Sequence, residues 1–145
     1  MSQVSVSGEG RQQRLVIYKW LLILLYTIAL LIGTHSPDDS FAVETAIRWA
    51  GNDKLAHFLG YFGLATLIFT AGVIPRTWIG MTSTLAGLAL LGAADELTQP
   101  CFDRSAEWSD WLFDMAGIGL GLVIGTLVNR CWQGCCETLD RRYAP

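Results

Sequence analysis

Four apolar stretches, at 15–33, 55–73, 77–94 and 111–128, dominate this 145-residue chain. At a helical rise of about 1.5 Å per residue each makes roughly 27 to 29 Å, close to the hydrocarbon thickness of a bilayer. The composition is 52% hydrophobic, and residues 15–132 absorb nearly all of it, so a separate soluble domain has no room. The expected fold class is all-α, a polytopic membrane four-helix bundle. Residues 1–14 and 133–145 read as flexible polar tails. The third and fourth stretches are rich in Gly, Ala, Ser and Thr, which suits helices packed against other helices.

Arg11 and Arg14 precede an apolar run, as in a signal peptide, but the run is long and Gly33-Thr34-His35-Ser36-Pro37 holds no small-residue cleavage site. The first stretch is therefore expected to remain as a span. Arg11, Arg14, Lys19, Arg76, Arg130, Arg141 and Arg142 fall on one side, and Arg48, Lys54 and Arg104 on the other. By the positive-inside rule both termini are cytoplasmic. The outer side then collects Asp38, Asp39, Glu44, Asp53, Asp95, Glu96, Asp103, Glu107, Asp110 and Asp114, although the net charge is only −3. The basic residues form no stripe with interleaved aromatics, so nucleic acid is excluded as a partner and the bilayer is the expected one. Trp49, Trp108 and Trp111 at the outer interface and Trp78 and Trp132 at the inner one read as belt residues.

The connections add order. Ile74-Pro75-Arg76 makes a tight hairpin that predicts antiparallel neighbours for the second and third spans. In the first outer loop Ser40 can cap a short interfacial helix, with Val43, Ala46, Ile47 and Ala50 on one face and Glu44 paired with Arg48. The cysteines, Cys101 and the trio Cys131, Cys135 and Cys136, lack a histidine partner and the spacing of a zinc site, so they are read as structural thiols.

Ionisable residues at membrane depth persist where they pair, line a cavity or bind something. Asn52 is a natural N-cap, after which Asp53, His57 and Tyr61 share one helical face; in the simplest arrangement Asp53 and His57 bond each other and fix the helix end. Asp95, Glu96 and Gln99 close the third span ahead of Pro100. Carboxylates there oppose the helix dipole, and Lys54 and Arg104 are the expected compensating cations. Asp110 and Asp114 open the fourth span, with Ser109 as a cap, on the stripe that continues through Gly117, Gly121 and Gly125. Small residues four apart let a neighbouring backbone approach closely, so the stripe predicts intramolecular packing.

These residues carry a resemblance. Asp53-Lys54-Leu55-Ala56-His57-Phe58 with Tyr61, then Glu96 and Gln99, Arg104-Ser105, and Asp110 with Gly117 follow D-K-x-x-H-F-x-x-Y, E-x-x-Q, R-S and D-x-x-x-N-x-x-G. Over roughly residues 50–128 the chain resembles the VanZ-like family of small multi-span bacterial membrane proteins. Asp114 stands where that pattern commonly has Asn, and Pro100-Cys101-Phe102-Asp103 replaces a Gly-containing turn. The resemblance implies a bacterial inner-membrane (cytoplasmic-membrane) protein of the cell envelope, and its founding members are associated with antibiotic resistance to the glycopeptide teicoplanin. It implies no reaction.

The functional expectation is an outward-facing site made of Asp53, Lys54, His57, Tyr61, Glu96, Gln99, Arg104, Asp110 and Asp114. Helix N-termini converge there, and with Lys54 and Arg104 they suit an anionic lipid or peptidoglycan-precursor group. A second reading is a membrane enzyme with His57, Glu96 or Asp110 as acid or base and Arg104 stabilising developing charge. A third is a structural subunit of an envelope complex. A hard divalent ion on His57, Glu96, Asp110 and Asp114 is a weaker variant, so neither a metal nor a cofactor is assigned. Oligomeric state stays open.

Overall fold

The computed structural model describes residues 3–37 and 40–143, with side chains described between 10 and 135 apart from 38, 39, 42 and 46. Asp38 and Asp39, and the side chains of Ala46, Cys136, Arg141 and Arg142 named above, lie outside the described residues. All regular structure among the described residues is helical: α1 (Gln3–His35), α2 (Phe41–Ala50), α3 (Asp53–Ala71), α4 (Trp78–Thr98), a 3-10 turn (Gln99–Phe102) and α5 (Trp108–Tyr143). Three helical segments among the described residues, Gly10–His35, Asp53–Ala71 and Trp108–Cys135, are long and apolar enough to cross a membrane. Within the segments read as polar tails, residues 3–14 and 133–143 continue α1 and α5, since no proline or cap separates them from the apolar runs.

Local chemistry explains the boundaries. Ser40 accepts the Val43 N–H, Asn52 the Leu55 N–H at 2.8 Å and Thr77 the Gly80 N–H at 3.1 Å, each satisfying an amide with no intrahelical partner. Gly51 and Gly72 end α2 and α3 at φ 94° and 65°, a left-handed conformation open to glycine. Glu44 and Arg48 pair across one turn of α2 at 3.4 Å.

The core lies between α3 and α5. Tyr61, Leu64, Ala65, Ile68 and Phe69 of α3 meet Ile118 and Leu122 of α5, with Ile23 of α1 and Leu88 of α4 closing the cluster. The predicted glycine stripe is what allows this. A Cβ at Gly121 would lie 2.6 Å from the Phe62 carbonyl oxygen, and one at Gly117 would strike the Phe58 carbonyl, whereas Gly119 faces open space. This close approach changes the expected neighbours. α4 reaches α3 at only a few points despite the tight Ile74-Pro75-Arg76 connection, because α5 occupies the space against both.

α1 is peripheral, with Leu15, Leu22, Leu25 and Ile32 all exposed. It is tied on by the Tyr26 hydroxyl, which donates to the Gly60 carbonyl at 3.1 Å, and by Thr34. Trp49, Trp78, Trp108 and Trp132 are exposed, but Trp111 is a packing residue whose Nε1–H donates to Ala89 O at 3.1 Å.

Candidate functional site

Four helix ends meet at one end of the bundle: the C-termini of α1 and α4 and the N-termini of α3 and α5. Pro100 stops α4, and the 3-10 turn with Asp103 at φ 57° reverses the chain. The Arg104 N–H then donates to Gln99 O at 3.4 Å, which lays Arg104 back over the helix ends.

The two cations of the cluster are held by acids at the rim. Lys54 Nζ donates to Glu107 Oε2 and Ser109 Oγ, both at 2.7 Å, and to Asp110 Oδ1 at 2.9 Å. Arg104, buried, donates through Nη2 to Asp53 Oδ1 and Oδ2 at 3.1 and 3.0 Å, with Nη1 3.4 Å from Ser36 O. The Lys54 hydrogen bond and charge hold the Glu107 carboxyl below its usual range. Ser109 serves that bridge as well, donating to Glu107 at 3.1 Å, and sits inside the first turn of α5 rather than capping it.

One turn deeper lies a buried trio from three helices. His57 of α3 places Nδ1 3.1 Å from Asp114 Oδ1 of α5 and 3.7 Å from Glu96 Oε1 of α4. Asp53, the expected partner of His57, is turned to Arg104 instead, because a charged guanidinium nitrogen shared between both carboxylate oxygens outcompetes a bond from imidazole. Glu96 Oε1 also accepts from Gln99 Nε2 at 3.0 Å, and Oε2 accepts the Glu107 N–H at 3.1 Å. Asp114 is fully buried, and its Oδ2 has no hydrogen-bond partner among the described residues.

Deeper still, Tyr61 donates its hydroxyl to Asp95 Oδ2 at 3.3 Å. Thr34 donates to Asp95 Oδ1 at 2.7 Å, and His35 Nδ1 lies 3.2 Å from the same oxygen. His35 Nε2 is 2.8 Å from Thr98 Oγ1. The dipole-opposing carboxylates Asp95 and Glu96 are thus met by hydroxyls, imidazoles, an amide side chain and a backbone N–H, while Lys54 and Arg104 serve other acids. Of the nine sequence-predicted residues, Asp53, Arg104, Gln99, Glu96, His57 and Asp114 are joined by direct contacts, Lys54 and Asp110 pair with each other and reach Glu96 through Glu107, and Tyr61 bonds Asp95, so the cluster forms three layers rather than one ring.

Thr34, His35, Asp95 and Glu107, outside that set of nine, join them. A polar pair, Thr34-His35, at the exit of an otherwise apolar run was the available signal for α1. The donor atoms of His57, Glu96 and Asp114 lie within 4.8 Å of one another, as do those of Asp53, His57 and Asp110. Cys101, Cys131 and Cys135 are exposed free thiols away from both trios.

Three cavities adjoin the cluster. One of about 190 Å³ has walls of Ala29, Leu30, Val43 and Ala56 and carries Asp53, His57 and Arg104. One of about 100 Å³ places Glu96 among Ala93, Leu97, Trp108 and Trp111. One of about 360 Å³ runs over the Lys54, Glu107 and Asp110 rim. No protein-family model, curated protein or solved structure matches the chain.

Proposed function

We propose that this is a VanZ-like protein of the bacterial inner membrane that binds the anionic headgroup of an envelope lipid or lipid-linked peptidoglycan precursor at its outward polar end. In this reading α1, α3, α4 and α5 are the four spans, α2 rests along the outer interface, and both termini are cytoplasmic, as the placement of basic residues favours. Exposed apolar side chains along α1 and interfacial tryptophans support a lipid-facing surface.

The observation that carries the reading is the cavity of about 190 Å³ between α1, α2 and α3. Its wall is apolar along Ala29, Leu30, Val43 and Ala56 and cationic at Arg104, the amphipathic lining that a lipid needs. Asp53 fixes the guanidinium on that wall, so the donor is oriented before the ligand arrives. The test is native mass spectrometry of the full chain with phosphatidylglycerol against phosphatidylethanolamine. Preferential retention of the anionic lipid is expected, reduced at least about tenfold by Arg104→Gln, the loss of one charge-assisted hydrogen bond. Equal retention of both lipids, or indifference to Arg104→Gln, would refute it.

A second reading, catalysis on such a lipid with His57 as acid or base, draws on one distance: Asp114 Oδ1 lies 3.1 Å from His57 Nδ1 and would orient the ring on the same cavity wall. Retained lipid binding with lost turnover in His57→Gln would favour it over simple binding.

A further inference from the structure

We infer that His57, Glu96 and Asp114 form a binding site for one divalent cation, of the harder first-row kind represented by Mn2+. The inference does not rest on the lipid reading.

The three side chains come from α3, α4 and α5, so the packing of the core sets their separation. Two donors bound at about 2.1 Å to one ion sit roughly 3.0 to 3.4 Å apart. His57 Nδ1 lies 3.1 Å from Asp114 Oδ1 and 3.7 Å from Glu96 Oε1, and one donor atom from each residue lies within 4.8 Å of the other two, so modest side-chain rotation brings all three onto one ion.

An independent observation points to a ligand. Asp114 is fully buried, and its Oδ2 has no hydrogen-bond partner among the described residues. An acceptor stranded in this way is destabilising, and more so when charged. A cation held by both oxygens of the Asp114 carboxylate gives Oδ2 a partner and balances two acids that otherwise face one imidazole.

The neighbouring trio Asp53, His57 and Asp110 lacks this demand, because Arg104 and Lys54 already pair with its two carboxylates. Glu96 is oriented for the role by Gln99 on one oxygen and the Glu107 N–H on the other, the outer-shell support that bound carboxylates use. One cavity opens on Glu96 and another on His57. One imidazole nitrogen among carboxylate oxygens favours Mn2+ chemistry over the thiolate and multi-histidine sets of zinc.

The test titrates Mn2+ into EDTA-treated full-length protein in nanodiscs of zwitterionic lipid, reading free Mn2+ by electron paramagnetic resonance. One ion per chain is expected, with nitrogen coupling from an imidazole in the pulsed spectrum. Asp114→Asn and Glu96→Gln should each weaken binding at least tenfold, and Glu44→Gln, on the exposed face of α2, should bind as wild type. Should Asp114→Asn fail to insert, Glu96→Gln and the nitrogen coupling carry the test. No stoichiometric ion, no nitrogen coupling, or equal binding by Glu44→Gln and Asp114→Asn would overturn the site.

Discussion

The stripe along α5 begins with Asp110 and Asp114 and continues through Gly117, Gly121 and Gly125, and its two halves meet α3 on different terms. The glycine half touches backbone: the carbonyls of Phe58 and Phe62 and the Cβ of Phe69 lie where side chains would otherwise stand. The acidic half touches side chains, with Asp110 at Lys54 and Asp114 at His57. Dispersion and close packing hold the first half, and these are insensitive to pH and salt. Charges organise the second, where burial offsets most of what pairing gains. The glycine seam therefore sets the distance between the helices, and the polar end depends on it: Asp114 can stand 3.1 Å from His57 because Gly117, one turn further on, lets the backbones close.

The sharpest way to break this comparison is in the seam. Gly121→Leu would drive a side chain into the Phe62 carbonyl and Ala65, a clash with backbone that rotamer changes cannot relieve. We expect destabilisation of more than about 3 kcal/mol, read as lost thermal stability in detergent. Gly119→Leu, with nothing within 4 Å, should be neutral or slightly stabilising through helix propensity. If the two variants behave alike, the seam does not set the geometry.

A smaller effect is expected below the trio. Tyr61→Phe keeps the buried ring and removes only the hydroxyl that donates to Asp95 Oδ2. A loss of about 1 to 2 kcal/mol is expected from leaving that oxygen short of a donor. Thr34→Val strips the other oxygen of its donor from α1. Because both act on one carboxylate, the double variant should depart from additivity; simple addition would mean that Asp95 does not tie α1 to α3 as a shared acceptor.

What could be read from the sequence follows the same division. Caps at Ser40 and Asn52, the Glu44–Arg48 pair and the face of the glycine stripe are all visible, because each depends on residues within a few positions of one another. The membership of the polar cluster was legible too, since ionisable side chains at the ends of apolar runs are rare. Its pairing was not. Spacing along α3 placed Asp53 beside His57, but Arg104, arriving over a loop some fifty residues away, takes Asp53 and leaves His57 to Asp114. Likewise the tight turn between α3 and α4 suggested neighbours, and only the tertiary approach of α5 decides otherwise. The partner of His35 was hidden for the same reason, because that contact reaches Asp95 across sixty residues.

The smallest expected effect is at the outermost layer, and it separates the halves by their response to pH. Glu107 bonds Lys54 at 2.7 Å, and that bond holds its carboxyl below the usual range. A carboxyl whose folded pKa lies below its unfolded value of about 4.3 adds stability that is fully present above that value. The contribution is lost as pH falls through the folded value. Glu107→Gln should therefore lower the melting temperature slightly at about pH 6, and the gap to wild type should close on acidification below about pH 4. Both groups are solvent-exposed, so 1 M salt should shrink the gap as well. Gly125→Ala, which presses only on Phe69, should be displaced from wild type by a constant amount across the same range. A Glu107→Gln gap that persists unchanged at low pH would show that the rim is held by packing, as the seam is, and would erase the distinction between the two halves.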